Sequence, residues 1–150
     1  MKTRYGLEIR AATAADAPGI AELLSAAGHA IAPRALAERL DAIRQEPGAA
    51  LIAVAWGPPS GLILLHWYRT LGADQSTAQI TALLVGPGER RRGIGRLLVK
   101  AAAQAARVAG CGALELSAAR DEESLREFCR ATGFTESGSC FARPLRKKGS

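Results

Sequence analysis

The stretch Gln79-Ile-Thr-Ala-Leu-Leu-Val85-Gly-Pro-Gly-Glu-Arg90-Arg-Arg-Gly93-Ile-Gly95-Arg96-Leu-Leu98 decides how the rest of the chain is read. Ala78 to Val85 reads as a strand, and Gly86-Pro87-Gly88 breaks it. A helix follows, with Ile94, Leu97, Leu98, Ala101, Ala105 and Val108 as its apolar positions. Gly93 and Gly95 fall in its first turn, where the missing Cβ atoms let a ligand approach the backbone closely. The N–H groups of a first helical turn have no intrahelical acceptor and stand at the positive end of the helix dipole, which suits phosphate. Arg90, Arg92 and Arg96 add charge-assisted donors around it. The combination fits a pyrophosphate.

Two common nucleotide motifs are excluded. There is no Gly-x-x-x-x-Gly-Lys-Ser/Thr, so the nucleoside-triphosphate loop is absent. The dinucleotide fingerprint needs a third glycine three residues after Gly95, and that place holds Leu98.

Outward from this stretch, Leu7 and Ile9 flank Glu8 in a short alternating strand. Thr13 followed by Asp16 reads as a capping-box-like helix start, with Ile20, Leu23, Leu24 and Ala27 at helical spacing up to Gly28. A second helix starts near Pro33, carries Leu36, Leu40 and Ile43 on one face, and ends by Pro47-Gly48. The runs 49–56 and 61–69 read as a strand pair around Gly57-Pro58-Pro59-Ser60. After the central helix come a short buried strand from Ala113 to Ser117 and a last helix carrying Leu125, Phe128, Cys129 and Thr132, closed by Gly133. The tail from Thr135 to Leu145 supplies one or two further strands in this reading. The order defines an α/β (α+β) chain, antiparallel in its first half and with a crossover in its second.

Arg90-x-x-Gly93-x-Gly95 is similar to the Gln/Arg-x-x-Gly-x-Gly/Ala signature of the GNAT superfamily of N-acetyltransferases. Leu83-Leu84-Val85 and Phe128-Cys129-Arg130-Ala131-Thr132-Gly133-Phe134 stand where that family has a bent strand and a last helix ending in Gly-Phe. The resemblance covers nearly the whole chain in element order and is specific over 79–98 and 124–134. It implies one acetyltransferase domain over 1–150. Its sheet would be mixed and mostly antiparallel, splayed between two parallel central strands and flanked by about four helices. It further implies acetyl-coenzyme A (acetyl-CoA) in the cleft between those strands, as a co-substrate and without a metal. The pyrophosphate would meet the backbone of residues 91–96, with Arg90, Arg91, Arg92, Gly93, Ile94, Gly95 and Arg96 around it. The pantetheine arm would pair with the edge of Leu83, Leu84 and Val85, and the Val85 N–H would polarise the thioester carbonyl.

Amine acetylation needs a neutral amine, a polarised carbonyl and a proton for the departing thiolate. The resemblance puts a tyrosine acid four residues before the Gly-Phe pair, where this chain has Cys129, and a glutamate base where it has Gln79. A cysteine thiol titrates ordinarily near ~8.5, and an amide cannot take the proton at all. Glu115 on the following strand and His66 and Tyr68 on the preceding one are the other base candidates, histidine alone having an ordinary pKa near neutrality. Each has a structural reading too: Cys129 continues the apolar stripe of Leu125 and Phe128, His66 sits among Leu65, Trp67 and Tyr68, and Glu115 alternates with Leu114 and Leu116. Three functions stay open: an N-acetyltransferase for the primary amine of a small molecule, an acyl-CoA-binding module with weak or no turnover, and a protein amine acetyltransferase. Segments 25–35 and 68–78, where acceptor choice would lie, carry no diagnostic motif.

Composition agrees with one enzyme-sized domain. The 150 residues are 48% hydrophobic and 23% charged, which excludes intrinsic disorder, while 5% aromatics leave the core to aliphatic side chains. The net charge of +6 has a concentrated origin in Arg90, Arg91, Arg92, Arg96 and Lys100, beside the helix start. That cluster reads as cofactor recognition and not as a nucleic-acid surface, since no aromatics interleave with the cations. No apolar run approaches the ~20 residues that span a bilayer, and the start lacks a secretory core, so the reading is soluble, cytoplasmic and without membrane partner. Cys111, Cys129 and Cys140 form no disulfide or zinc pattern. The reading expects a small-molecule amine acceptor as partner and allows a homodimer.

Overall fold

The computed structural model describes residues 6–89, 93–118 and 121–145. Strand β1 (Glu8–Ala11) leads through a 3-10 turn (Ala14–Asp16) into helix α1 (Ala17–Ala26), followed by α2 (Pro33–Ile43). Then come β2 (Gly48–Val54), β3 (Gly61–Tyr68) and β4 (Ser76–Val85), α3 (Ile94–Val108), β5 (Cys111–Leu116) and α4 (Glu123–Ala131). The strands form one sheet in the order β1-β2-β3-β4-β5; the first four are antiparallel and β5 runs parallel to β4. The mixed, mostly antiparallel sheet with four helices is the architecture expected from the sequence. By compactness the chain divides into residues 1–116 and residues 117–150.

Each face of the sheet is covered for a reason written in the helices. On one face, Ile20 and Leu23 of α1 and Leu36 and Leu40 of α2 pack with Ala50, Ile52 and Leu62 of the strands. Both helices carry a proline in their first turn, where no N–H is needed. The other helix, α3, packs on the sheet through Ile94, Leu98, Ala102 and Ala106, spaced four apart, with Val99 beside them. The stripe therefore differs from the one expected at its far end: Val108 is 79% exposed, because a four-residue row drifts around the helix and has turned away by the last turn. Gly61 of β3 lies under this helix. A Cβ on it would come within 3.0 Å of both Ile94 Cγ2 and Leu98 Cδ1, so the missing side chain sets how closely α3 approaches.

The entry to α1 is tied to β1 by charge. Arg10 donates through both terminal nitrogens to the Asp16 carboxylate at 2.9 and 2.8 Å, and the Thr13 N–H donates to the same carboxylate at 2.8 Å. These bonds, the Arg10 pair foremost, hold the Asp16 carboxyl below its ordinary pKa, against the opposing effect of its burial. A carboxyl with a lowered folded-state pKa stabilises the fold above its unfolded value, and that stability is lost as pH falls through the folded value. Asp16→Asn should therefore cost about 1–2 kcal/mol at neutral pH, discounted for the partly exposed arginine. The difference from the native chain should shrink as pH falls below about 4, the ordinary aspartate range, in denaturant titrations run across pH.

Two expectations are corrected toward the C-terminus. The described residues 135–145 contain no strand, and Phe141 and Leu145 are each 95% exposed. Strand β5 starts earlier than expected, at Cys111, and none of its residues is buried. Among the described residues no strand pairs with the outer side of β5, which leaves its side chains uncovered on that side. An apolar alternation such as Ala113 to Leu116 signals a strand without saying how many neighbours it has.

Within residues 117–145, α4 ends in a Schellman motif. The Phe134 N–H donates to the Cys129 carbonyl at 2.9 Å, the Gly133 N–H to Arg130 at 3.3 Å, and Gly133 has φ of 95°. The Gly-Phe pair thus has a local reason to end the helix. Arg126 pairs with Glu136 and, at 3.8 Å, with Glu123, which fastens the chain leaving the helix back onto it.

Candidate active site

Strands β4 and β5 are paired only from Ser76 to Ile80, where Ile80 stands opposite Leu116. On its other side β4 stays paired with β3 as far as Val85, opposite Gly61. Thr81 to Val85 therefore present, away from β3, a strand edge with no neighbour among the described residues. Alternate N–H and C=O groups along such an edge point outward and receive an extended ligand as they would another strand. Leu83, Leu84 and Val85, the residues expected along a pantetheine arm, lie on this edge and are half-buried.

The chain leaves Val85 through Gly86, whose N–H donates to Ser60 at 2.9 Å, and a 3-10 turn at Pro87–Glu89. Arg90, Arg91 and Arg92 lie outside the described residues. The helix resumes at Gly93, its N-cap, with φ 73° and ψ 17°. That left-handed backbone costs a residue with a Cβ about 1–2 kcal/mol, which is why glycine stands there. A Cβ at Gly93 would meet no atom within 4 Å among the described residues. No side chain caps α3 among the described residues, and the amides of Ile94 and Gly95 are placed for an anion.

The catalytic candidates separate into two groups. His66 stands directly opposite Gln79 across β3 and β4, and Gln79 opposite Glu115 across β4 and β5. Laterally paired residues project to the same face, so these three form one polar row. It lies on the face covered by α1 and α2, in line with Leu62 and Leu64 of β3. A bulge makes this possible: Leu64 faces Ala82 but Leu65 faces Ile80, leaving Thr81 as an extra, exposed residue in β4. Strict alternation would put Gln79 on the face of Leu83 and Val85; the bulge transfers it to that of Ala82 and Leu84. Tyr68 is two residues beyond His66 and exposed. One neighbour of the row had no sequence signal. Glu46, in the turn between α2 and β2, brings its Oε1 to 3.8 Å from His66 Nδ1.

Cys129 belongs to the other compact unit, on α4. Burial raises its thiol pKa, against the lowering effect of Arg126 and Arg130, so it is a protonated thiol at neutral pH. A protonated thiol retains a proton to give, and equally makes a small half-buried apolar group. A shallow cavity of about 220 Å³ lined by Ala11, Ile43, Arg44 and Gly48 lies at the opposite margin of the sheet, and no residue of β4 or α3 lines it. Among the described residues no group of three or more His, Cys, Asp or Glu side chains could hold a metal ion, and no helix is long and apolar enough to cross a membrane.

Residues 18–134 match the model of the acetyltransferase (GNAT) family. The chain belongs to that family. Solved structures share the GNAT chain's fold along its length. A putative acetyltransferase from Agrobacterium tumefaciens str. C58 superposes with a TM-score of 0.83 at 24% identity, over 92% of this chain and 99% of that one. An acetyltransferase of Trypanosoma brucei gives 0.80 at 22% identity, over 93% and 99%. AAC(6')-Iy, solved with the bisubstrate analogue CoA-S-monomethyl-acetylneamine, gives 0.80 at 19% identity, over 94% and 99%. No curated protein sequence matches the GNAT chain significantly.

Proposed function

We propose that this chain is an acetyl-CoA-dependent N-acetyltransferase, moving an acetyl group directly from the thioester to a primary amine of a small molecule, with residues 1–150 as one acetyltransferase domain. The observation that carries the reading is an open strand edge, Thr81 to Val85, leading within a few residues to an uncapped helix start at Gly93. Membership of the GNAT family supports it, as does a neighbour solved with a coenzyme A bisubstrate analogue. In this reading the pantetheine arm lies along the backbone of Leu83, Leu84 and Val85, and an N–H at the Thr81 end of that edge, in place of the Val85 N–H, polarises the thioester carbonyl. The amides of Gly93, Ile94 and Gly95 take the pyrophosphate, with Arg90, Arg91, Arg92 and Arg96 as its cationic surround. A thiolate whose conjugate acid titrates near ~8.5 is a good leaving group, so water suffices to protonate it.

Calorimetry with acetyl-CoA and coenzyme A tests the binding half of this reading. Saturable binding of both is expected, and a folded sample that binds neither at millimolar concentration would refute it. A second reading, a binding module without turnover, is favoured by the amide at Gln79 in place of a base. Thiol release with any member of a panel of primary amines removes that alternative.

A further inference from the structure

We propose that the acceptor amine is received on the polar row His66, Gln79 and Glu115, with His66 as the group that takes its proton and Glu46 as the positioning residue for the imidazole. This rests on the acetyltransfer reading above and deepens it. The row lies one residue before Ile80 and Leu116, the last pair before β4 loses its partner. An acetyl group carried along the open edge from Val85 toward Thr81 therefore arrives beside it. Strands lie about 4.8 Å apart, so the row runs roughly 10 Å from His66 to Glu115, room for one small amine and little more.

Its composition changes where the chemistry requires it. Along the same face the preceding β3 positions are Leu62 and Leu64, and the opposing β2 positions are Ile52, Ala50 and then Gly48. Gly48 stands opposite His66, so no side chain from β2 covers the imidazole. The His66 side chain is 30% exposed, within reach of a solute yet shielded by the sheet. Its Nδ1 is turned toward Glu46, and Nε2 makes no hydrogen bond among the described residues, which leaves that nitrogen for the amine. The Gln79 amide oxygen can accept an amine N–H and orient it, but cannot remove the proton. Glu115, exposed at the end of the row, attracts the ammonium form in which amines arrive.

The proton and electron pairs can be followed through. The ammonium gives a proton to Nε2 of the His66 imidazole, whose Nδ1 faces the Glu46 carboxylate at 3.8 Å. The freed lone pair forms the N–C bond to the acetyl carbon, and the C–S bond breaks with its electrons on sulfur. The thiolate takes up a proton, the new amide nitrogen gives its surplus proton to water, and His66 returns its own to solvent. One amide, one thiol and one released proton balance an ammonium and a thioester.

The test uses the full chain, acetyl-CoA and the best amine from the panel. His66→Ala should lower kcat/KM by at least about 100-fold, the low end for general base catalysis, with acetyl-CoA affinity unchanged by calorimetry. Exogenous imidazole should restore a measurable part of that activity. Glu46→Gln should lower kcat about tenfold with little change in the amine KM, as expected of a residue acting through another. Native-like kcat/KM in His66→Ala would overturn the proposal. So would a loss that imidazole does not restore in a variant still binding acetyl-CoA, since that marks a structural role. If the native chain itself binds no acetyl-CoA, the acetyltransfer reading fails and this inference with it, an outcome distinct from either of the others.

Discussion

Replacing Gly61 by valine is expected to cost about 3 kcal/mol of stability and to weaken acetyl-CoA binding at least tenfold. A Cβ at this position would lie 2.9 Å from the Leu84 carbonyl oxygen, as well as 3.0 Å from Ile94 and Leu98. Those two side chains are fully buried, so they have no solvent-filled space in which to retreat. The branched methyls of valine deepen the clash, and overpacking of this kind costs about 1–3 kcal/mol. The strain reaches the candidate site because Ile94 follows the N-cap Gly93 directly. Moving Ile94 off the sheet moves the helix start whose amides are assigned to the pyrophosphate. Denaturant unfolding should show a lower midpoint at unchanged slope, and calorimetry the loss of affinity. Leu98→Ala in the same chain should cost less than it does alone, because it makes room for the valine. A cost below 1 kcal/mol with native affinity would show that α3 is not seated by Gly61.

Gly48→Ala should cost about 2–3 kcal/mol and act on turnover instead of coenzyme binding. The added Cβ would fall 2.4 Å from the Leu65 carbonyl oxygen and 3.2 Å from the His66 Cα, both backbone atoms of β3. Backbone cannot yield there without opening the β2–β3 ladder, in which Gly48 faces His66, or the adjoining bond from the Trp67 N–H to the Pro47 carbonyl at 3.2 Å. The displacement is at the base proposed for the amine and remote from the helix start. The variant should therefore keep its acetyl-CoA affinity and lose kcat, measured by thiol release below its unfolding temperature. Equal loss of both would show that the effect is general unfolding.

The two substitutions also mark how far the sequence could be read. That a glycine stands at the start of α3 is legible from the pattern, and the backbone of Gly93, its N-cap, is left-handed. Gly61 and Gly48 carried no such signal, since each is one glycine at the start of an apolar run. Their necessity comes from what crosses them, a helix in one case and a neighbouring carbonyl in the other. Val108 shows the converse: helical spacing places this apolar residue on the buried stripe, yet it is exposed.

The sequence by itself determined the element order, the strand-to-helix turn with its glycines and cations, and the resemblance to the GNAT superfamily. These depend on local periodicity and on residues close together in the chain. Only the tertiary structure decided which face Gln79 occupies, because that depends on the single extra residue at Thr81, and alternation cannot show where a ladder slips. The same holds for the row joining His66, Gln79 and Glu115 and for the approach of Glu46, which come from lateral register between strands distant in sequence. The tail beyond Thr135 follows the same rule. Strand formation needs a partner as well as a pattern, and no strand occurs in the described residues 135–145.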